Sequence, residues 1–493
     1  LGAALAECLP DVHVSLSHDV VGTFREFERA ATTEIDAALS PLLARYLHRL
    51  GETCRQTGLP EPRIMQSTGG LIDLETAASH AVRTVLSGPA AGAAGAAFLA
   101  RATGEPRVLC MDMGGTSCDI CVVDDGAVQE RGAAAVGGRP IALPMLAIHT
   151  VGAGGGSIAW RDAGGALRVG PQSAGAEPGP ACYGRGGTEP TVSDANLLLG
   201  LLPLDAPLAG GVSLDREAAA RAVGRLAHEL RMDPIACAEG IRRVAGGGMA
   251  GALRVVTVHR GVDPRAYALM AFGGAGPLHA AQIADELGIE TILCPRDAGV
   301  LAALGLVVAE RRRDAQRSVL FSGETLTESA IGQVTGELAE QARRELGDPD
   351  ADTRATYELR YRGQSFELPV GGELETSPEE LRRGFEAVHE ERYGYSAADQ
   401  ALELVTIRVT ATLPGGRLEL GTRVSEEDVW RGRRRVWLDG REQEAEVVAG
   451  APAPGTGIYG PSIVELPGST LVLPSGWRGG VEASGMIRVD RVR

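Results

Sequence analysis

The sequence predicts an α/β protein that ends in an α+β region, and three observations lead to this prediction. Residues 267–295 have the pattern strand, glycine turn, helix, strand, which is one βαβ unit. Residues 107–130 contain two apolar strands joined at Gly114 and Gly115. Beyond about Gln316, acidic helical stretches alternate with strands, which is typical of an α+β domain.

Composition excludes several classes of function. The chain has 493 residues, which suggests roughly three domains. Its formal charge of −16 and its 4% aromatic content argue against a nucleic-acid-binding surface or an anionic-membrane surface. All 48 basic residues are arginine, so a Walker-type phosphate lysine and a Schiff-base lysine are both excluded. The 67 glycines are roughly twice the usual share, as in an enzyme whose backbone approaches a ligand closely.

Cysteine and apolar patterns indicate a cytoplasmic protein without a membrane span. The eight cysteines are scattered along the chain and are expected to be reduced thiols. The longest apolar run, residues 299–309, is too short to cross a bilayer.

The other predicted elements follow one another with clear start and stop signals. An asparagine, aspartate, serine or threonine cap, a proline at the first helical position, or a glycine turn marks most of them. In chain order they are a helix at 32–56, a strand at 63–66 that leads into a loop, a helix from Pro89 to about 102, a β stretch at 141–150, a loop at 171–190, a helix from Ser193, a long helix from Pro234 to about 260 interrupted at 246–248, an acidic helix at 325–346 and a linker at 450–456.

Residues 111–119 carry the strongest chemical signal. Asp112 ends a buried strand, two glycines and two hydroxyl residues follow, and Asp119 begins the return strand. Glycine amides and hydroxyls can surround phosphate oxygens, and paired carboxylates can hold Mg²⁺ or its waters. A plain hairpin with a Gly-Gly turn would have the same residues, so a phosphate site and a simple turn both stay open at this point.

A second glycine loop precedes His279. Small residues end a strand at 272–276, and Pro277 begins a helix whose amide end can face a nucleotide, although a tight βα turn would look the same. His149 is a candidate general base or metal ligand, with a structural histidine as the alternative. His279 is a candidate nucleotide contact with a helix-start role as its alternative, and capping alone would explain Asp194.

Several long motifs resemble the hydantoinase A/5-oxoprolinase family. They are DMGGTSCD, SGPAAG, HTVGAGGGSIA, SAGAEPGPACYGRGG, PTVSDANLLLG and FGGAGPLHA, followed near the end by YRGQSFEL, FEAVHEERYGY and GPSIVELPGSTLVLPSGW. The resemblance implies an actin-like ATPase fold, related to sugar kinases and Hsp70, with a C-terminal α+β domain. It also implies ATP and Mg²⁺ as cofactors and hydrolysis of a cyclic amide such as 5-oxoproline or a hydantoin.

The resemblance also implies specific site residues. Asp112 and Asp119 match catalytic and metal-binding carboxylates, and His149 is added as a candidate catalytic residue. The matching nucleotide-binding residues are Gly114, Gly115, Thr116 and Ser117 in one loop and Gly273, Gly274, Ala275 and Gly276 in the other. Cys118 departs from the family, which usually has threonine there.

The family further implies a preceding N-terminal domain with its own phosphate loop. We therefore expect residues 1–30 to be the end of a truncated lobe, residues 31–315 to form the ATPase domain and residues 316–493 to form the α+β domain. Without a hydantoinase B-type partner subunit and the N-terminal domain, we expect weak nucleotide binding, negligible ring opening, and self-association or partner binding near residues 1–30. The alternatives are a subunit of an ATP-dependent ketone carboxylase and a non-catalytic nucleotide-binding module.

Overall fold

A computed structural model describes residues 2–204, 211–420 and 429–492. Its α-helices are α1 (Gly2–Cys8), α2 (Ser17–Val20), α3 (Glu26–Gln56), α4 (Leu74–Ser79), α5 (Ser87–Thr103), α6 (Val192–Leu198), α7 (Arg216–Leu230), α8 (Pro234–Val256), α9 (Gly276–Leu287), α10 (Leu301–Val308), α11 (Glu328–Leu346) and α12 (Pro378–Tyr393).

The strands of the described residues are β1 (Ile64–Met65), β2 (Leu71–Ile72), β3 (Arg107–Met113), β4 (Cys118–Asp124), β5 (Ala127–Val128), β6 (Glu130–Arg131), β7 (Ala134–Val136), β8 (Arg139–Ile141), β9 (Met145–Leu146), β10 (His149–Val151), β11 (Ser157–Arg161), β12 (Leu167–Ser173), β13 (Ala268–Phe272), β14 (Thr291–Cys294), β15 (Arg311–Ser322), β16 (Asp352–Tyr361), β17 (Leu368–Gly372), β18 (Leu402–Leu413), β19 (Trp430–Leu438), β20 (Arg441–Ala449), β21 (Gly457–Tyr459), β22 (Ser462–Leu466), β23 (Ser469–Leu473), β24 (Trp477–Val481) and β25 (Ile487–Arg491).

The described residues divide into two compact units. Unit 1 comprises Leu1–Ala90, Glu130–Leu146 and Leu306–Arg417, and unit 2 comprises Ala91–Gln129, Ala147–Gly305 and Leu418–Arg493. Mixed α/β structure is present, as predicted. Each unit combines residues from more than one of the three predicted domains, which are 1–30, 31–315 and 316–493. That linear division of the chain stays a prediction.

The main sheet of unit 2 has the order β10-β4-β3-β13-β14-β25-β24-β21, with β5 beside β4. Strands β3 and β4 form the predicted antiparallel hairpin, and β13 runs parallel to both β3 and β14. The predicted βαβ unit is therefore present, with α9 as its helix. Every residue of β13 is buried, as expected for a central strand covered on both faces.

The long helix of unit 2 begins as predicted but continues through its glycines. The Asp233 side chain accepts hydrogen bonds from two amides of the first turn of α8, and Pro234 occupies the first position. The prediction that residues 246–248 interrupt the helix is wrong, because α8 is continuous from Pro234 to Val256. A Cβ on Gly246 would overlap the Gln282 side chain, so one of these glycines does permit the close approach that the sequence suggested.

The main sheet of unit 1 has the order β1-β2-β15-β18-β16-β17. Apolar residues of its strands alternate with polar ones, and the apolar set packs against α11 and α12. Tyr357, Leu359, Ile407 and Phe385 are fully or almost fully buried in this core. One face of the sheet is therefore covered by helices, and the other carries polar side chains.

Within the described residues, no helix combines the length and the apolarity that crossing a membrane requires.

Candidate functional site

Two carboxylates lie side by side at the end of the β3–β4 hairpin of unit 2. Asp112 pairs with Asp119 across the hairpin, and Asp119 pairs in turn with Thr150 of β10. Residues directly opposite one another in a sheet project to the same face, so the three side chains form one row. The Thr150 hydroxyl donates a hydrogen bond of 2.5 Å to Asp119 Oδ1.

Burial and mutual repulsion destabilise the charged forms of these carboxylates. Burial, with a further contribution from the charge of Asp119, raises the pKa of Asp112 to about 6. Burial also raises the pKa of Asp119, and the hydrogen bond from Thr150 opposes this shift. Among the described residues, no arginine or histidine forms an ion pair with either carboxylate. A bound cation would therefore stabilise both charges.

The turn between the two carboxylates is open to ligand. Gly114 N–H donates to Ser117 O at 3.0 Å, which closes the turn, and Gly114, Gly115 and Thr116 are exposed. A Cβ built on Gly114 or on Gly115 would meet no atom within 4 Å. Packing within the chain therefore does not require glycine at these positions, whereas close approach of a ligand to the backbone would.

A second glycine loop, residues 152–156, packs directly on this turn. Gly155 N–H donates to Gly114 O at 3.0 Å, and Gly156 N–H donates to Gly115 O at 2.6 Å. A Cβ on Gly154 would lie 2.5 Å from the backbone nitrogen of Thr116, so no side chain fits there. These glycines were not predicted as site residues, although the four glycines among the five residues after β10 were the available signal.

The glycine loop predicted before His279, residues 273–276, brings the start of α9 next to Asp112. Gly273 has a φ of +78°, and a Cβ there would overlap Asp112 Oδ1. Ala275 N–H donates to Met113 O at 3.0 Å, and the Ser469 hydroxyl donates to Gly273 O at 3.0 Å. Gly274 is exposed and open, since its nearest neighbour would lie 3.7 Å from an added Cβ. The two loops predicted from the sequence therefore meet around Asp112.

His149 does not join the row of carboxylates. It pairs with Ile120, one position away from the Thr150–Asp119 pair, so strand alternation directs its side chain to the opposite face of the sheet. The geometry brings no support to a catalytic role for His149, which stays a prediction.

Hydrogen-bond partners account for the burial of Asp194 but not for that of His279. His279 is fully buried, and within the described residues neither ring nitrogen has a hydrogen-bond partner. Burial, aided by the charge of Arg242, lowers its pKa to about 3, so the ring is neutral at pH 7. Asp194 forms a capping box with Thr191 and also accepts from the Cys182 amide at 2.7 Å. Capping and loop closure account fully for Asp194.

The site has the donor set of a nucleotide–Mg²⁺ site rather than of an all-protein metal site. Among the described residues, no group of three or more His, Cys, Asp or Glu side chains is arranged to hold a metal. Two adjacent carboxylates with raised pKa values, next to exposed glycine amides, do fit Mg²⁺ that takes its other ligands from phosphate and water. Without any lysine, donors to phosphate here are backbone amides, hydroxyls and arginines.

Comparison with known proteins identifies the family of the chain. Residues 29–315 match the family model described as Hydantoinase/oxoprolinase. The chain belongs to the hydantoinase/oxoprolinase family. This membership confirms the resemblance that the motifs indicated.

Three relatives show the range of the family. The chain is 34% identical to the caprolactamase subunit alpha of Pseudomonas jessenii over 504 residues, which cover 98% of this chain and 72% of that protein. It is 34% identical to 5-oxoprolinase 1 of Arabidopsis thaliana, covering 80% of this chain and 33% of the relative. It is 30% identical to the acetophenone carboxylase gamma subunit of Aromatoleum aromaticum, covering 98% and 69%.

The fold is also that of a solved relative. The crystal structure of the ATP-dependent caprolactamase from Pseudomonas jessenii matches all of this chain and 74% of the caprolactamase chain, with a TM-score of 0.84 and 32% identity. The mixed α/β architecture is therefore shared across the whole described chain.

Proposed function

We propose that this chain is the ATP-using part of a hydrolase that opens cyclic amides, and that its nucleotide-binding region has the actin-like ATPase fold. The observation that carries the proposal is the pair Asp112 and Asp119 in register, enclosed by the backbone of three glycine loops. The caprolactamase relative is ATP-dependent, which supports ATP as the ligand of this site.

Each loop has a distinct part in this proposal. The exposed turn Gly114, Gly115, Thr116 and Ser117 surrounds phosphate oxygens with amides and hydroxyls. The loop from Gly273 to Gly276 lies against the nucleotide, with the amide end of α9 contributing partial positive charge. Residues 152–156 hold the turn in place through the two backbone hydrogen bonds described above.

Asp112 and Asp119 are the residues that would hold Mg²⁺ or its waters. When bound, Mg²⁺ would neutralise charge on the phosphates during transfer. The Thr150 hydroxyl orients Asp119 and opposes the rise of its pKa. Asp112 lies between Gly273 and Gly92, and a Cβ on Gly92 would lie 3.0 Å from Asp112 Oδ2.

ATP makes chemical sense for an amide ring because it activates a poor leaving group. Transfer of the terminal phosphoryl group to the amide oxygen, with release of ADP, makes the ring carbon more electrophilic. Water adds to this carbon, the C–N bond breaks with the nitrogen leaving as the amine, and a second water hydrolyses the resulting acyl phosphate to carboxylate and phosphate. The protein then mainly positions phosphate and stabilises charge, and no covalent protein nucleophile is required. A hydantoinase B-type second subunit is the proposed partner for ring hydrolysis.

A ketone carboxylase subunit is the second candidate function. The 30% identity to the acetophenone carboxylase gamma subunit over nearly the whole chain favours it. Both candidates use the same phosphate site, and they differ in the molecule that accepts the phosphoryl group.

Substrate-stimulated ATP hydrolysis tests the proposal. The chain, co-purified with its native partner, is incubated with Mg²⁺-ATP and 5-oxoproline, hydantoin, caprolactam, or a ketone with and without bicarbonate. Phosphate release stimulated by a cyclic amide, together with a ring-opened product, supports the hydrolase. Stimulation only by ketone and bicarbonate supports the carboxylase, and nucleotide binding without phosphate release under any condition would contradict both.

A further inference from the structure

The second face of the main sheet in unit 1 is polar across the neighbouring strands β15, β18 and β16. In register across β15, β18 and β16 lie Gln316, Arg408 and Thr356, and in the next row lie Ser318, Thr406 and Glu358. Strand alternation places these side chains opposite the apolar core packed by α11 and α12. An antiparallel sheet can leave such a face in water. Here two other segments of unit 1 border part of it.

Two segments of unit 1 line a partly open cavity of about 690 Å³ together with this polar face. Residues 23–28 and 130–142 line one side, and the strands line the other. Ser318 N–H donates to Gly22 O at 3.3 Å, and a Cβ on Gly132 would lie 3.2 Å from Glu358 Oε1. The volume is in the range of small-molecule sites.

Arg408, on the floor of this cavity, is a buried cation with unused donors. Its exposed fraction is 6%, and among the described residues Nε and Nη1 have no hydrogen-bond partner. The nearest anion is Glu130, 3.8 Å from Nη2, and Glu130 already accepts from Arg312 at 2.5 Å. Because Glu130 is 3.8 Å away and is shared with Arg312, it compensates the buried charge of Arg408 only in part, so an anionic ligand at the unused donors of Arg408 would be favoured.

Glu358 provides an opposite charge at the same place. It is a diagonal neighbour of Arg408, and burial raises the pKa of this carboxyl while the charge of Arg408 opposes the shift. No ion pair within 4 Å joins the two side chains in the described residues. Among the charged residues that line the cavity, six are acidic and four are arginine, so a ligand that brings only negative charge would be repelled by the remainder.

We propose that this cavity of unit 1 binds a small amino carboxylate, with the ligand carboxylate on Arg408 and its ammonium group on Glu358. The carbon skeleton would contact the aromatic side chains of Phe24 and Phe366 at the cavity wall. Hydrolysis of a cyclic amide yields this chemical class, since opening the C–N bond leaves a carboxylate and an amine on one molecule. The binding site itself does not depend on the proposed ATP chemistry.

Calorimetric titration of the 493-residue chain without nucleotide tests this proposal. The probes are 6-aminohexanoate and L-glutamate, with hexanoate lacking the ammonium group and hexylamine lacking the carboxylate. We expect at least one amino carboxylate to bind about tenfold or more tightly than either truncated probe, because each loses one charge-assisted hydrogen bond. Equal affinities for all four probes, or no binding, would overturn the proposal.

Two variants assign the contacts. Arg408→Met should weaken amino carboxylate binding at least about tenfold, and Glu358→Gln should remove the preference for 6-aminohexanoate over hexanoate. Arg344→Met, on the exposed surface of α11, is the matched control and should bind like the parent chain. Because Glu130 keeps its hydrogen bonds from Arg312 when Arg408 is replaced, Arg408→Met should stay folded, with a melting temperature close to that of the parent chain. A large loss of stability in Arg408→Met, or an unchanged probe preference in Glu358→Gln, would contradict the assignment. These measurements succeed or fail independently of ATP turnover.

Discussion

The phosphate-site candidate of unit 2 and the polar cavity of unit 1 are built in opposite ways. In unit 2, three glycine loops bring backbone atoms together around two carboxylates, and side chains are largely kept out. In unit 1, long side chains on regular strands supply the charges. Backbone amides at glycine turns suit phosphate oxygens of any nucleotide, whereas arginine and glutamate side chains can select one charge pattern. The difference suggests that unit 2 recognises a common ligand and unit 1 a particular one.

The largest effect that would separate the two regions is expected from Asp112→Asn. Losing one of two adjacent carboxylates should reduce Mg²⁺-dependent ATP hydrolysis on the order of 100-fold, because the charge that holds the cation is halved. The melting temperature should stay close to that of the parent, since an unpaired buried charge is removed, and amino carboxylate binding should be unchanged. The comparable variant Asp125→Asn, in the exposed turn before β5, should keep full turnover. If Asp112→Asn loses activity only in proportion to lost folded protein, Asp112 is a structural acid.

A smaller effect is expected where a side chain is added to a loop that has room for it. Gly274→Val should weaken ATP binding by about tenfold, through blocked approach to the backbone, while thermal stability is retained. Gly273→Val should instead unfold the loop, because its φ is positive and its Cβ overlaps Asp112. Nucleotide affinity is measured by titration on chains that pass a melting test. Unchanged affinity in folded Gly274→Val would remove residues 273–276 from the site.

The protonation state of buried His279 in unit 2 depends on pH, whereas buried Arg408 in unit 1 stays charged at every pH at which the protein is folded. The pKa of His279 is about 3 in the folded chain and about 6.5 when unfolded, so below pH 6.5 the unfolded state takes up a proton that the folded state does not. The free energy of unfolding should therefore fall as pH drops from about 6.5 toward 3, by up to about 1.4 kcal/mol per pH unit. Denaturant melts of His279→Leu should lose this part of the pH dependence. Exposed His228→Gln should keep it, and identical pH profiles for His279→Leu and the parent would refute the assignment.

The smallest effect tests which glycines the fold itself requires. Gly248→Ala, in the middle of α8 with open space around it, should raise the free energy of unfolding by about 0.5–1 kcal/mol. Gly246→Ala, two residues earlier, should raise it less, because the amide end of the Gln282 side chain must move away from the new methyl group. Both values come from the same denaturant titration. Equal shifts in the two variants would mean that the contact between α8 and Gln282 is not tight.

Local patterns in the sequence were sufficient to predict the hairpin at Asp112 and Asp119, the βαβ unit and the family. Each depends on residues that are neighbours in the chain: alternating apolar residues, glycine turns, and a proline at a helix start. Family membership is confirmed by the match over residues 29–315, whereas the site residues stay predictions.

Only the tertiary structure decided which of these residues meet. Strand register and contacts between distant segments decided three features. They are the packing of residues 152–156 on the 114–117 turn, the placement of His149 on the opposite face of the sheet, and the unbroken course of α8. Arg408 and Glu358 gave no signal in the sequence, because they are ordinary polar residues of alternating strands. They become diagonal neighbours only when β16 and β18 align, and two remote segments then line the same cavity. Burial, rather than residue type, turns a surface charge into a binding group.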